Sequence, residues 1–438
     1  MKALVIILLL IFFSLAVGAE PLTLNGALTE TEAQSPDLKS AQADVKIADA
    51  KRGEAFAGFM PHLGVNADHY FNAKYENLNV NFGGQTILFP SAFPQTSATI
   101  EASLNVFDGF ASTNRVRAAS LEFQAAQLEL QQKRFEMRQK IRHLFYEALA
   151  AQILVDVSDQ NIKSLNEHLA LAKAQQRSGY ATRFDSLRVE ANLEEAQAER
   201  VLNIDNMILA RKALAREMGV LDDDRPLAGP LPKPQEGIST KALALDLRER
   251  HDYQAQSLRE TASVKEDNAA HAFWLPKLSV FANETYYKFG SFDPAINATG
   301  YQSAYSFGLR LNWDLFDGGY SYSAAQVASA RAEKQVQETR REHLKADDEF
   351  EQWKRRYDYN VALYRARVRL VDKSTESVRL AHLGLKAGTR TSSDALDAEL
   401  ELFKSRAGLV KANLDSLDSL LQLETALGHN LLGGSEGG

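Results

Sequence analysis

The four residues Val106–Gly109 (VFDG) recur as Leu315–Gly318 (LFDG), 209 positions further along the chain. In both places a stretch of alternating apolar and polar residues precedes the motif. In both places a long helical pattern without proline follows it. The motif therefore predicts a junction at which a strand ends and a long helix begins, twice in one chain.

The two halves of the chain match well beyond this motif. Phe59–Leu63 corresponds to Trp274–Leu278 at an offset of 215. Further pairs share the offset of 209, namely Gly179 with Gly388, Asp185 with Asp394, Leu187 with Leu396 and Gly219 with Gly428. A period above 200 residues is too long for a solenoid repeat, so we expect a duplicated half with pseudo-twofold structure.

The element order is the same in both predicted repeats. We predict a first repeat over 20–219, a proline-rich linker over 220–240, a second repeat over 241–428 and a flexible tail over 429–438. The acidic run Asp222–Asp224 is interpreted as part of a solvated linker. The elements of the first repeat are a helix over 37–58, strands within 61–107, a long helix over 111–178 and a helix over 182–218; those of the second are a helix over about 240–272, strands within 276–316, a long helix over 320–387 and a helix over 391–427.

Residues 1–19 predict an export signal. Lys2 precedes an apolar run, and Val17–Ala19 offers small side chains for a signal peptidase. This order is typical of a signal peptide, although a buried or membrane helix is the alternative. We therefore expect an exported protein.

The second repeat contains the clearest strand. Over Tyr305–Leu315, aromatic and aliphatic residues alternate strictly with small or polar ones. A period of two predicts a strand with one apolar face. The strand length and the flanking aromatics suit a bilayer, while a soluble sandwich is the alternative. The residues expected to face lipid are Phe307, Leu309, Leu311 and Trp313.

Four strands cannot close a membrane barrel, because the smallest known barrels need about eight strands. Open sheet edges are not tolerated in lipid, so the chain must oligomerise if its strands span a membrane. Two subunits would supply eight strands and three would supply twelve. These arguments do not choose between a dimer and a trimer.

The long helices are unusual for a globular protein. At 1.5 Å per residue, each spans about 100 Å. Apolar residues recur every seven positions in more than one register, for example Leu121, Leu128 and Phe135. This spacing favours coiled-coil packing with neighbours on several sides. A wall or barrel of helices satisfies the pattern, and a simple antiparallel bundle is the alternative.

Composition narrows the functional classes. The chain has no cysteine, so no thiolate metal site or cysteine nucleophile is possible. The net charge of -7 disfavours a nucleic-acid binder. We find no nucleotide-binding, serine-nucleophile or zinc motif, and we predict neither an enzyme nor a cofactor or metal site. A periplasmic coiled-coil scaffold without a pore is the alternative to a membrane channel.

In its duplicated order, its Phe-Asp-Gly junctions and its two hairpin tips, the chain resembles the TolC-type outer membrane efflux protein family. The tips read GYATRFDSL over Gly179–Leu187 and GTRTSSDALD over Gly388–Asp397. The resemblance implies a mixed, mainly α fold: a homotrimer in which long antiparallel helical hairpins form an α-barrel and each subunit contributes four strands to a twelve-stranded transmembrane β-barrel. It also implies a passive duct for small molecules or proteins across the outer membrane and periplasm of a Gram-negative bacterium.

The resemblance further implies a gate at the periplasmic end of the helices. Arg390 matches the family's gate arginine, and Asp185 matches an acid that pairs with it. Asp394 and Asp397 would form two carboxylate rings, although Asp394 also fits a helix cap. The family's tyrosine before the second tip is replaced by Leu385. Partners would be a periplasmic adaptor and an inner-membrane transporter, and the residues expected to dock the adaptor are Gly179, Thr182, Arg183, Gly388 and Thr389.

Overall fold

A computed structural model describes residues 21–71, 77–90, 96–234, 243–288 and 300–431. The predicted signal peptide and residues 432–438 of the predicted tail lie outside this part of the chain. Seven α-helices and six strands occur within the described ranges. They are α1 (Leu24–Gln34), α2 (Pro36–Phe56), β1 (His62–His69), β2 (Asn77–Phe82), β3 (Gln85–Pro90), β4 (Thr96–Phe107), α3 (Ala111–Arg177), α4 (Arg183–Met218), α5 (His251–Ala270), β5 (Lys277–Lys288), β6 (Gln302–Asn312), α6 (Tyr320–Lys386) and α7 (Ser392–Leu427).

The chain divides into two compact units, and each draws on both sequence repeats. The sheet unit comprises residues 44–127 and 255–339, and the helical unit comprises the remaining residues. The division falls inside α2, α3, α5 and α6. Among the described residues, no helix combines the length and apolar character needed to cross a membrane.

A four-stranded antiparallel sheet forms the centre of the sheet unit. Its strand order is β1-β4-β5-β6, so the strands of the two repeats meet where β4 pairs with β5. In this central pair Ile100 lies opposite Glu284, and the register shifts between Asn105 and Phe107. Strands β1 and β6 are the two edges of the sheet.

The alternating pattern of β6 places large apolar side chains on one face, and no described residue of the sheet unit covers them. Phe307, Leu309 and Leu311 are 77%, 70% and 65% exposed. The strand ends at Asn312, so Trp313 does not belong to it, contrary to the prediction from the pattern. Trp313 instead donates its indole N–H to the carbonyl of Trp274 at 3.2 Å.

A second, two-stranded sheet was not predicted from the sequence. β2 and β3 form an antiparallel hairpin through Gly83 and Gly84, which both have positive φ. The first repeat therefore has four strands where two were expected, while the second repeat has β5 and β6 among its described residues. The two additional strands stand apart from the four-stranded sheet.

The aspartate of each Phe-Asp-Gly motif lies just before a long helix and accepts a backbone hydrogen bond from its first turn. Asp108 accepts the Ser112 backbone N–H at 2.8 Å, and Asp317 accepts the Ser321 N–H at 3.0 Å. A side-chain acceptor at this position satisfies one of the free N–H groups at a helix start. The junction predicted from the motif is therefore built by the same contact in both repeats.

The helical unit has its largest core where α3, α4 and α7 pack with α1. Buried members include Ile141, Phe145, Leu214, Met218 and Leu421. A buried ion pair lies near this core, because Arg142 contacts Glu424 at 2.8 Å and both side chains are at most 6% exposed. Glu424 also accepts the Leu431 backbone N–H at 2.9 Å, so the buried carboxylate is further satisfied by the chain that follows α7.

The segment after α4 is more ordered than a solvated linker. Leu22 pairs with Leu227 in a parallel bridge, and both side chains are buried. Arg225 binds both carboxylate oxygens of Glu30 at 2.7 Å, and Asp223 also contacts this arginine. Hydrogen bonds from Arg225 lower the pKa of both carboxyl groups. Arg225 therefore fastens this segment to α1, and Asp223 holds that arginine in place, which the acidic run alone did not indicate.

Candidate functional site

Both helical hairpins reverse direction through the same turn. Gly179 and Gly388 have φ values of 79° and 73°, which a residue with a side chain rarely adopts. In the first tip the Tyr180 N–H donates to the Gln175 carbonyl at 2.9 Å. In the second tip the Thr389 N–H donates to the Gly384 carbonyl at 2.9 Å. These contacts satisfy the free carbonyls at the end of each long helix.

The helix that follows each turn begins with the same capping box. Thr182 accepts the Asp185 N–H, and the Asp185 carboxylate accepts the Thr182 N–H at 2.9 Å. Thr391 and Asp394 repeat this pair of contacts at the second tip. A capping box satisfies two backbone donors at once and also places negative charge at the positive end of a helix.

The capping hydrogen bonds favour the ionised form of both aspartates. Those from the Thr182 side chain and then its backbone lower the pKa of Asp185. Those from the Thr391 backbone and then its side chain lower the pKa of Asp394, and the nearby charge of Arg390 adds to the effect. Both carboxylates therefore stay charged near neutral pH.

An arginine that the sequence interpretation missed joins the two tips. Arg188 on α4 contacts Asp397 on α7 at 3.3 Å and donates to the hydroxyl of Ser393. Arg188 and Asp397 are equivalent positions of the two repeats, being 209 residues apart. This offset together with opposite charge is the signal that could have predicted the pair.

The predicted partners Asp185 and Arg390 are not joined within the described part of one chain. Asp185 is engaged by Thr182, while the Arg390 side chain lies against Gly384. A Cβ at Gly384 would lie 2.5 Å from Cγ of Arg390, so the glycine makes room for the arginine. Leu385, at the position of the family's tyrosine, is buried with Ala381 and Ala395 instead of forming a polar contact.

The five predicted docking residues lie in or beside the two turns. Gly179 and Thr182 belong to the first turn, Arg183 begins α4, and Gly388 and Thr389 belong to the second turn. Beside the first turn are two exposed aromatic side chains that the prediction omitted, since Tyr180 in the turn and Phe184 at the start of α4 are 88% and 71% exposed. Within the described ranges, no group of three or more histidine or carboxylate side chains is arranged to hold a metal ion.

The sequence profile described as "Outer membrane efflux protein" matches residues 27–220 and 243–429. The chain is 26% identical to the alkaline protease secretion protein AprF of Pseudomonas aeruginosa, over 65% of this chain and 60% of AprF. It is 24% identical to the outer membrane efflux protein BepC of Brucella suis, over 93% of this chain and 85% of BepC.

The fold is also similar to a solved structure. The crystal structure of the outer membrane protein VceC from Vibrio cholerae superposes with a TM-score of 0.76 and 21% sequence identity, covering 93% of this chain and 96% of VceC. The profile match accounts for both repeats, including both tips and both Phe-Asp-Gly junctions. The chain belongs to the outer membrane efflux protein family.

Proposed function

We propose that three copies of this chain form a passive exit duct across the outer membrane and periplasm of a Gram-negative bacterium. The observation that carries the proposal is the profile match over both repeats. Relatives are named for efflux, as BepC is, and for protein secretion, as AprF is. The cargo class is therefore small molecules or secreted proteins, and an inner-membrane transporter supplies the energy through a periplasmic adaptor.

The four-stranded sheet supports the membrane part of the proposal. Among the described residues of the sheet unit, none covers its apolar side chains, such as Leu309 on β6, and none pairs with the outer edges of β1 and β6. Pairing the β6 edge of one copy with the β1 edge of the next removes every edge, as a bilayer requires. Three copies would give twelve strands and leave an open lumen, whereas eight strands would be filled by side chains.

The tips support a gate at the periplasmic end. The tie between Arg188 and Asp397 holds the two hairpins of one chain together, and it is partly exposed. In the trimer we place Arg390, and the Asp185 carboxylate oxygen that the cap does not use, against a neighbouring copy. We propose that these residues, together with Asp394, keep the tunnel narrow at rest. An adaptor that binds the turns containing Gly179 and Gly388 more tightly in the open state than in the closed state would then favour opening.

Single-channel conductance in a planar bilayer tests both the duct and its gate. We compare wild type with the double variant Arg188→Ala, Arg390→Ser. A matched control is Arg200→Ala, because Arg200 also lies on α4 and pairs with an aspartate, Asp159, but within the first hairpin alone. We expect a small, steady wild-type conductance that rises severalfold in the double variant and stays unchanged in the control.

Two other results would contradict the proposal. Equal conductance in wild type and the double variant would retain the duct and reject the gate residues. If folded protein is soluble without detergent and conducts in no variant, the chain is a periplasmic scaffold and the duct is wrong.

A further inference from the structure

A cavity of about 510 Å³ lies in the helical unit, between α1, α3 and the start of α5. Its wall on α3 carries three arginines spaced four residues apart, Arg134, Arg138 and Arg142. Side chains at this spacing share one face of a helix, with Cβ atoms about 5–6 Å apart. Like charges at this spacing repel, so each additional arginine destabilises the row unless a counter-ion is close.

Two of the three arginines contact a carboxylate. Arg142 contacts the buried Glu424 at 2.8 Å. Nε of Arg138 donates to Oε1 of Glu32 at 2.7 Å, and Nη2 of the same arginine donates to the same oxygen. Within the described ranges, Nη1 of Arg138 has no hydrogen-bond partner. The side chain of Arg138 is 55% exposed, so its free edge is accessible to a ligand.

The third arginine, Arg134, is exposed and forms no ion pair with any residue that the structure describes. Glu32 is the one carboxylate among the described residues of the wall, against three guanidinium groups. The nearby acid on α3, Glu136, already contacts Lys133 at 2.9 Å. The cavity therefore has an excess of positive charge, and a bound anion would be the counter-ion of Arg134.

The remainder of the wall is partly apolar and partly neutral. Phe135 of α3 and Leu28 of α1 supply the apolar part. His251 also lines the cavity, and its Nδ1 is buried without a hydrogen-bond partner in the described part of the chain. A buried polar atom without a partner is costly, so a ligand group that bonds to Nδ1 is favoured. This wall suits an anion that is attached to an apolar body.

We propose that the cavity binds a small organic phosphate monoester, with the phosphate at Arg134 and Arg138 and the organic body against Phe135 and Leu28. Guanidinium groups bind phosphate oxygens through charge-assisted, often paired hydrogen bonds. A phosphate monoester carries a charge of about −1.5 to −2 near pH 7, so it can engage two guanidinium groups at once. Glu32 competes with the phosphate for Arg138. The site does not depend on the proposed duct.

The test measures binding of phenyl phosphate to the full chain in neutral detergent, by isothermal titration calorimetry at about 50 mM NaCl, where screening is weak. Arg134→Gln removes the cation without a counter-ion and should weaken binding about tenfold or more. Glu32→Gln removes the competing carboxylate and should tighten binding about threefold. The control is Arg117→Gln, because Arg117 is also an exposed arginine of α3 but lies outside the cavity, and this variant should bind as wild type does.

The opposite signs expected for Arg134→Gln and Glu32→Gln separate a binding site from a merely structural role, since a loss of folding would weaken binding in both variants. Equal affinity in wild type and Arg134→Gln would overturn the site. So would the absence of saturable binding up to about 10 mM phenyl phosphate, because such weak binding shows no specific recognition. The duct is tested by conductance alone and is unaffected by either result.

Two further probes define the ligand. Inorganic phosphate lacks the apolar body and should bind at least about threefold more weakly than phenyl phosphate. Equal affinity for the two would overturn the organic ligand. Diphenyl phosphate is a diester with one negative charge, like a phospholipid headgroup, and should also bind more weakly. Equal or tighter binding of the diester would overturn the monoester and identify a lipid phosphate as the ligand.

Discussion

The two hairpin tips share a backbone and differ in the environment of their side chains. Both have a glycine with positive φ followed by a Thr–Asp capping box. About two turns from each tip, equivalent positions on both helices of the hairpins diverge. Lys173 and Glu190 form a surface pair at 2.6 Å in the first hairpin, and their equivalents in the second are His382 and Glu399.

The same divergence affects the apolar positions. Leu187 in the first tip is 48% exposed, whereas its equivalent, Leu396, is 3% exposed. Leu396 packs with Leu165 and Leu193, so both helices of the first hairpin cover the start of α7. Turn and cap are set by local sequence, but burial depends on which helices lie alongside. Duplication therefore preserved the turns, while the two hairpins acquired different neighbours and different ionisable groups.

The two tips are expected to differ most in how much stability they lose when the equivalent glutamates, Glu190 and Glu399, are replaced. Glu399→Ala leaves two histidines and Ser164 without their buried acceptor, so it should lower the free energy of unfolding by about 1–3 kcal/mol or more. Glu190→Ala removes a pair whose side chains are 50% and 39% exposed. Glu190→Ala should therefore lower the free energy of unfolding by less than about 1 kcal/mol. Denaturant unfolding in detergent, followed by circular dichroism of the helices, measures the free energy of unfolding of both variants. Equal losses in the two variants would contradict the argument from burial.

Because the two tips share the same turn, replacing the glycine of either turn is expected to lower stability equally. An alanine at Gly179 or Gly388 would meet no atom within 4 Å, so the cost comes from the left-handed backbone alone. We expect each substitution to lower stability by about 1–2 kcal/mol. Gly53→Ala is the control, because Gly53 lies inside α2 with equally open surroundings, and alanine there should stabilise by about 1 kcal/mol. Unequal losses at the two tips would show that tertiary contacts, and not the turn, determine the cost.

Much of this fold could be predicted from the sequence because its main signals are local. The absence of proline, the glycines at 179 and 388 and the threonine–aspartate caps define the long helices. The period-two pattern defines β6 as a strand. The hairpin of β2 and β3 was missed, since the interpretation assigned only two strands to each repeat. Trp313 was misplaced because alternation continues past Asn312, where the chain leaves the ladder.

The candidate site could be predicted only in part, because its contacts join distant segments. The tips and their caps depend on neighbouring residues, and the sequence indicates them directly. The pair of Arg188 with Asp397 spans 209 residues, and the contact of His168 with Glu399 spans 231. Neither follows from helical spacing, since they depend on how α3, α4 and α7 pack. The repeat offset does relate Arg188 to Asp397, so comparing the repeats position by position could have revealed that pair.

The smallest expected effect is a pH dependence that the two tips share. Capping hydrogen bonds lower the pKa of Asp185 and Asp394 in the folded protein, so each carboxylate contributes stability above its unfolded pKa. That contribution is lost as the pH falls below about 4 and through the lower, folded values. Asp185→Asn and Asp394→Asn should each reduce the loss of stability between about pH 6 and pH 3 by a similar small amount, because both side chains are exposed. Unfolding curves at the two pH values measure it. A response at only one tip would mean that a charge outside the cap, such as Arg390 beside Asp394, sets the titration, and the tips would then differ in their caps as well as in their neighbours.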